Sequence, residues 1–180
     1  MLTANGPILY RVFPSPFGPL GLLWQEASGW PAIRQVFLSS DRTTARERIE
    51  TAFGDAKPGS HPVILQLAEQ MQAFLEGAPI TFALASVSLE RCSEFQRRVL
   101  VAEHGIPRGS VSSYGLIAAH LGVEKGARAV GTALARNPFP LIIPCHRVIG
   151  SDGSLHGFAG GLALKARLLA LENHQMVMPF

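Results

Sequence analysis

Three prolines, Pro138, Pro140 and Pro144, stand within seven residues and frame the apolar run Leu141-Ile142-Ile143. Proline fixes its own φ, removes a backbone donor and pushes the preceding residue towards extended backbone, so a helix cannot cross this stretch. The spacing predicts a short buried strand over Leu141–Ile143, with Cys145 at its end beside His146 and Arg147. Whatever fold the chain adopts has to be built round this fixed segment.

The first half reads as strands followed by helices. Ile8–Phe13 and Leu20–Trp24 are apolar runs separated by Pro14, Pro16, Gly18 and Pro19, which fits two strands and a turn-rich loop. Ile33–Leu38 supplies a third. Thr43–Phe53 predicts an amphipathic helix, and Ser60 can cap a second one. In that helix Ile64, Leu67, Ala68, Met71, Phe74 and Leu75 recur at helical spacing before Gly77. An alternating stretch, Ile80–Val87, then leads to a change of pattern near residues 88–93. We therefore expect an N-terminal α/β domain over 1–88, a mainly helical domain over 93–174 packed against it, and a tail over 175–180.

In the second half Ser93 opens a capping pattern into a helix that Gly105 and Pro107 end. Ser112 or Ser113 caps a short helix, Tyr114 to Leu121, stopped by Gly122. Another runs from about Gly126 to Arg136 and stops at Asn137-Pro138. Two short helices joined by a glycine-containing turn form a helix-turn-helix pattern. The second has an unusual face for reading bases. Ala127, Ala129, Gly131, Thr132, Ala133 and Ala135 are small, and Arg128 is the one long polar side chain before Arg136. No Asn or Gln is there to read adenine. Small residues suit close approach to a narrow groove, where a single arginine can insert.

Charge supports the same division. Residues 1–90 carry 6 Lys+Arg and 8 Asp+Glu, net −2, whereas residues 91–180 carry 10 and 5, net +5. Arginine makes 13 of the 16 basic residues, the side chain best suited to forked contacts with phosphate. This points to a polyanion partner for the second half only. At 47% hydrophobic and 16% charged, the chain is not disordered. The longest uncharged stretch, Gly109 to Val123, is 15 residues and too short and polar to span a membrane. With no basic n-region at the N-terminus and only two cysteines, Cys92 and Cys145, we expect a soluble, cytoplasmic protein with free thiols.

Cys145 is the candidate nucleophile. Cysteine attacks as thiolate, and an ordinary thiol is mostly protonated at neutral pH unless a base or positive charge intervenes. His146 is that base by position, although adjacent side chains on extended backbone point apart, leaving it to act through a water. A histidine base needs an orienting acceptor. The last helix, Gly161–Asn173, offers Glu172 against a background of leucines. Cys92 lies outside every motif and reads as structural.

From about Phe95 to Glu172 the chain resembles the O⁶-alkylguanine-DNA alkyltransferases, also called methylated-DNA–protein-cysteine methyltransferases. The resemblance rests on Pro144-Cys145-His146-Arg147-Val148 preceded by Arg136-Asn137-Pro138, on Val111-Ser112-Ser113-Tyr114, on Ala127-Arg128-Ala129-Val130-Gly131, and on Gly160-Gly161-Leu162 through Glu172. It implies a winged helix-turn-helix domain that repairs DNA by moving an alkyl group from guanine O⁶, and from thymine O⁴, to Cys145 once and irreversibly. By resemblance, His146 is the base, Glu172 orients it, and Asn137 holds the active-site turn. Tyr114 sits against the flipped base and helps protonate it. Arg128 fills the gap in the duplex, with Ala127, Ala129, Gly131, Thr132, Arg136, Ser113 and Ser151 along the DNA. Tyr114, Pro140, Val148, His156, Gly157, Phe158 and Ala159 form the substrate pocket. The implied partner is alkylated double-stranded DNA, bound by a monomer largely without sequence preference. No cofactor is implied. The N-terminal zinc of some relatives is not expected, because the first 90 residues hold no Cys and only His61.

The sequence departs from the family at Phe158-Ala159, where a Tyr-containing pair is frequent, and at bulky His156. Both bear on the range of alkyl groups. Three rival readings remain: a non-catalytic alkyltransferase-like lesion binder, a winged-helix regulator and a thiol hydrolase.

Overall fold

The computed structural model describes residues 6–27, 29–172 and 176–177. Its contacts divide the chain into two compact units, residues 1–88 and 89–180.

The first unit is built on a sheet of order β3-β2-β1-β4, from β1 (Ile8–Phe13), β2 (Leu20–Ala27), β3 (Trp30–Leu38) and β4 (Lys57–Pro58). β1, β2 and β3 form an antiparallel meander, and β4 joins β1 in parallel. The hydrophobic runs predict the first three strands, whereas β4 is two residues long and has no pattern to betray it. Helix α1 (Ala45–Ala52) begins with a capping box between Thr44 and Glu47. It drops Ala45 and Ile49 onto Tyr10, Leu23 and Phe37. Gly21 makes that approach possible, since a Cβ there would lie 2.6 Å from Ile49 Cδ1. Helix α2 (Pro62–Leu75) buries the six apolar residues at its predicted helical spacing. Its cap is not Ser60 but His61, whose ring accepts the Val63 N–H, because Pro62 occupies the first helical turn. The expected alternating stretch Ile80–Val87 is irregular. It contains a 3₁₀ turn, Leu84–Ser86, and pairs only through a bridge from Val87 to Ile33.

The second unit is mainly helical: α3 (Glu94–His104), α4 (Tyr114–His120), α5 (Ala127–Ala135) and α6 (Leu162–Glu172). Ser93 caps α3 and Ser113, rather than Ser112, caps α4. Gly126 caps α5 in a turn so tight that a Cβ would meet the Val123 carbonyl at 2.7 Å. A small sheet of order β6-β5-β7 joins β5 (Ser110–Ser113), β6 (Val148–Ile149) and β7 (Met176–Val177), all paired in parallel. Two residues of the expected tail are thus paired as β7, because Ser110 and Val111 offer them a free edge. The rest of that tail except these two residues, and the Asn173 end of the last helix, lie outside the described residues. Among the described residues no helix is long and apolar enough to cross a membrane.

The segment 138–144 is not the expected strand. Leu141 adopts a left-handed φ of 74°, and a bridge from Pro140 to Ile143 closes a compact turn. A non-glycine residue in that region costs about 1–3 kcal/mol and persists only when its surroundings enforce it. Asn137 does so. Its Oδ1 accepts the Phe139 N–H at 2.9 Å and its Nδ2 donates to the Ile143 carbonyl at 3.1 Å. The periodicity of the apolar run could not reveal this, because all three residues are buried in either conformation.

Candidate active site

Cys145 leaves that turn at the start of a 3₁₀ turn, Cys145–Arg147. The backbone is therefore not extended through Cys145 and His146, and the argument that extended neighbours point apart does not apply. Cys145 is partly exposed and opens into a cavity of about 180 Å³. Asn137 and Tyr114 line it, α5 contributes Gly131, Leu134 and Ala135, and the following loop contributes Gly157, Phe158 and Ala159. Pro140 and Val148, expected in this wall, are not in it. Both are buried, Pro140 by the bridge to Ile143 and Val148 by pairing with Ser112.

Behind the thiol lies a closed polar cluster. His146 Nε2 is 2.9 Å from Glu172 Oε1, and both side chains are inaccessible to solvent. Arg147 grips the same carboxylate with a fork, Nε to Oε2 and Nη2 to Oε1 at 2.8 Å each, and its Nη1 donates to the Ile106 carbonyl at 2.6 Å. Burial alone would raise the Glu172 carboxyl, but hydrogen bonds and charge from His146 and Arg147 override it and hold it at about 2. Burial pushes the His146 imidazole below its ordinary value, against the pull of Glu172. A neutral imidazole facing an ionised carboxylate must place its proton on Nε2, which leaves Nδ1 as the basic nitrogen. Burial first, then the Glu103 carboxyl once it is ionised, push the Cys145 thiol up to about 12, against the Asn137 hydrogen bond and the Lys165 charge. At rest the sulfur is therefore a neutral thiol. Tyr114 is also held protonated, raised by burial and then by Cys145 and Glu103.

Tyr114 and Gly131, with Ala135 and Gly157, also border a wider depression of about 580 Å³, which Ala127, exposed Arg128, Thr132 and His156 complete. The His156 and Tyr114 rings meet edge to face at 5.9 Å. Ala129 and Arg136 lie instead round a separate depression of about 380 Å³ with Ser93, Phe95 and Gln96, and Thr132 borders both. Ser113 is buried, its Oγ accepting the Leu116 N–H. Ser151 is exposed in the turn after β6. Among the described residues no group of three or more His, Cys, Asp or Glu side chains could hold a metal ion.

Sequence reading misses three participants: Arg147 as the second partner of Glu172, and buried Glu103 and Lys165. Lys165 Nζ donates to the Val148 carbonyl at 2.6 Å and the His156 carbonyl at 3.0 Å. A signal was available. Lys165, Leu168, Leu169 and Glu172 follow one helical stripe, as do Val99, Leu100 and Glu103, so each charge occupies a core position.

A thiol opening into a small cavity, backed by a buried His–Glu pair, is an arrangement that proteins with nucleophilic cysteines share. Residues 94–174 match the family described as 6-O-methylguanine DNA methyltransferase, DNA binding domain. A methylated-DNA–protein-cysteine methyltransferase of Methanothermobacter thermautotrophicus is 42% identical over 138 residues, which are 76% of this chain and 77% of that protein. The crystal structure of the Mycobacterium tuberculosis O6-methylguanine methyltransferase superposes with a TM-score of 0.75 at 35% identity, over 92% of this chain and 93% of that one. The corresponding structure in complex with DNA gives 0.71 at 34% identity, over 92% of each chain. The chain belongs to the methylated-DNA–protein-cysteine methyltransferase family.

Proposed function

We propose that this protein repairs DNA by transferring an alkyl group from guanine O⁶, and from thymine O⁴, to Cys145. The observation that carries the reading is the opening of Cys145 into a cavity while its His146–Glu172–Arg147 support is sealed from solvent. A volume of about 180 Å³ suits one flat ring system with a small substituent rather than an extended ligand. A base has to leave the duplex to reach it, which costs least for a damaged, weakly paired base. Arg128, exposed beside the outer depression, fills the space left in the stack, and the small residues of α5 approach the minor groove.

The proton inventory defines the step. His146, through a water, takes the thiol proton as the sulfur lone pair attacks the alkyl carbon. The S–C bond forms as the C–O⁶ bond breaks in line, and its electron pair passes into the guanine ring. Tyr114 donates its hydroxyl proton to a ring nitrogen and recovers one from the imidazolium, so the thiol proton ends on guanine. The buried carboxylate of Glu172 stabilises the transient His146 charge. The thioether persists, so each molecule acts once, as a monomer bound to DNA through phosphate with little sequence preference. We place the reaction in the cytoplasm. The test is intact mass after incubation with duplex DNA containing O⁶-methylguanine. One added methyl group on the Cys145 peptide, absent in Cys145→Ser, is expected; an unchanged mass for the wild type would overturn the proposal.

A further inference from the structure

Glu103 and Lys165 are buried ionisable groups beside the site that the transfer chemistry above does not use. Glu103 is the unpartnered one of the two. It sits near the end of α3 with no exposed surface, and neither carboxyl oxygen has a hydrogen bond among the described residues. A buried, unpaired carboxylate is among the most costly groups a protein can hold, whereas a neutral carboxylic acid is tolerated.

Its surroundings tie it to the nucleophile. The turn after Glu103 is bonded to the active site, since the Ile106 carbonyl accepts from Arg147 Nη1. Arg147 has its remaining donors on Glu172, so its charge is already matched. Lys165, from α6, spends two of its three donors on the carbonyls of Val148 and His156, which are neutral, so its charge is matched by no hydrogen-bonded anion. The groups acting on one another here are Glu103 from α3, Tyr114 from α4, Cys145 and Arg147 from the 3₁₀ turn, and Lys165 from α6.

We infer that Glu103 is a positioning residue that governs the Cys145 thiolate through Lys165: as a neutral acid it leaves the lysine charge to the sulfur, and as a carboxylate it claims that charge. Burial, opposed by Lys165 and Arg147, raises the Glu103 carboxyl to about 8. It is therefore mostly neutral near pH 7 and ionises through about pH 8. The thiolate and the Glu103 carboxylate compete for one buried cation, which burial itself holds below the usual lysine range against the pull of Cys145 and Glu103, so the three titrations are coupled. Alkaline conditions, which should favour any thiolate, are then partly self-defeating in this protein.

The inference assumes that Cys145 is the reacting thiol proposed above, and its test is made independent of alkyl transfer from DNA. Iodoacetamide labelling of the Cys145 peptide, resolved by mass from Cys92, reports the thiolate fraction from about pH 6 to about pH 9.5. In the wild type the rise in labelling rate should break to a shallower slope near pH 8. In Glu103→Gln it should continue without the break, matching the wild type within about twofold at pH 6 and exceeding it about tenfold at pH 9. Glu103→Leu, which carries no buried polar group, makes the same comparison if the glutamine variant folds poorly. Glu103→Asp, which keeps the charge, should restore the break. Superimposed profiles for wild type and both neutral variants would overturn the inference, whether or not the protein accepts methyl groups from DNA.

Discussion

The two units bury different things. Among the described residues, Ser88 is the only buried polar side chain of the first unit, whose core is Trp24, Leu22, Ile33, Met71 and other apolar groups. The second unit buries Glu103, His146, Arg147, Lys165 and Glu172 as well as its hydrophobic residues. Apolar burial is favourable on its own, whereas a buried charge is tolerated only with partners and is often no better for stability than a well-packed hydrophobic residue. The first unit is organised for packing. The second maintains an internal field, at a cost in stability, around one sulfur.

Breaking the field should therefore do more than breaking charges elsewhere. Glu172→Gln removes the carboxylate that neutralises Arg147 and orients His146, leaving a cation buried without its counterion. We expect a loss of about 3–5 kcal/mol in denaturant unfolding, whereas Glu50→Gln, which removes an exposed pair with Arg46 in the first unit, should cost under about 1 kcal/mol. Equal effects would erase the distinction between the units.

Their pH responses should differ next. Glu172 is held at about 2, below its unfolded value, so its contribution is present above about pH 4.5 and is lost as pH falls towards 2. Glu103 is raised to about 8, so its protonated form favours the fold, and that contribution is lost as pH rises from about 4.5 through 8. The first amounts to about 3 kcal/mol at its limit and the second to about 5 kcal/mol. Amide-exchange protection corrected for intrinsic rates should narrow to a bell for the second unit and stay flatter for the first. Parallel profiles would show that the buried charges are not what distinguishes them.

A smaller effect separates DNA engagement from chemistry. Arg128→Ala should slow repair of duplex DNA about tenfold and leave reaction with free O⁶-methylguanine within about twofold, because the free base needs no extrusion. Equal losses on both substrates would refute the role of Arg128 in the duplex. Duplex binding should also weaken steeply with added salt as phosphate contacts release counterions.

Much of the framework was legible because it is written in local signals. The α2 stripe, the cap at Ser93 and the start of α5 near Gly126 each depend on residues a few positions apart. The Glu172 to His146 link spans 26 residues and is legible only because a histidine base needs an acid to orient it and the family resemblance points to Glu172. What escaped was set by distant partners. The Arg147 fork meets Glu172 from 25 residues away and its Nη1 meets the Ile106 carbonyl from 41, and Gln96 reaches the Ala133 and Arg136 carbonyls at the end of α5. The Leu141 turn differs from the expected strand because prolines and apolar residues fit a strand and a compact turn equally well, and the Asn137 side chain decides between them.

The central claim is that one sulfur receives one alkyl group and the rest of the second unit exists to permit it. Stoichiometry tests this most directly: incubate the protein with excess duplex carrying isotopically labelled O⁶-methylguanine and count methyl groups per molecule on each cysteine. A plateau at about one is expected, all of it on Cys145 and none on Cys92. Continued turnover, or label on Cys92, would contradict it.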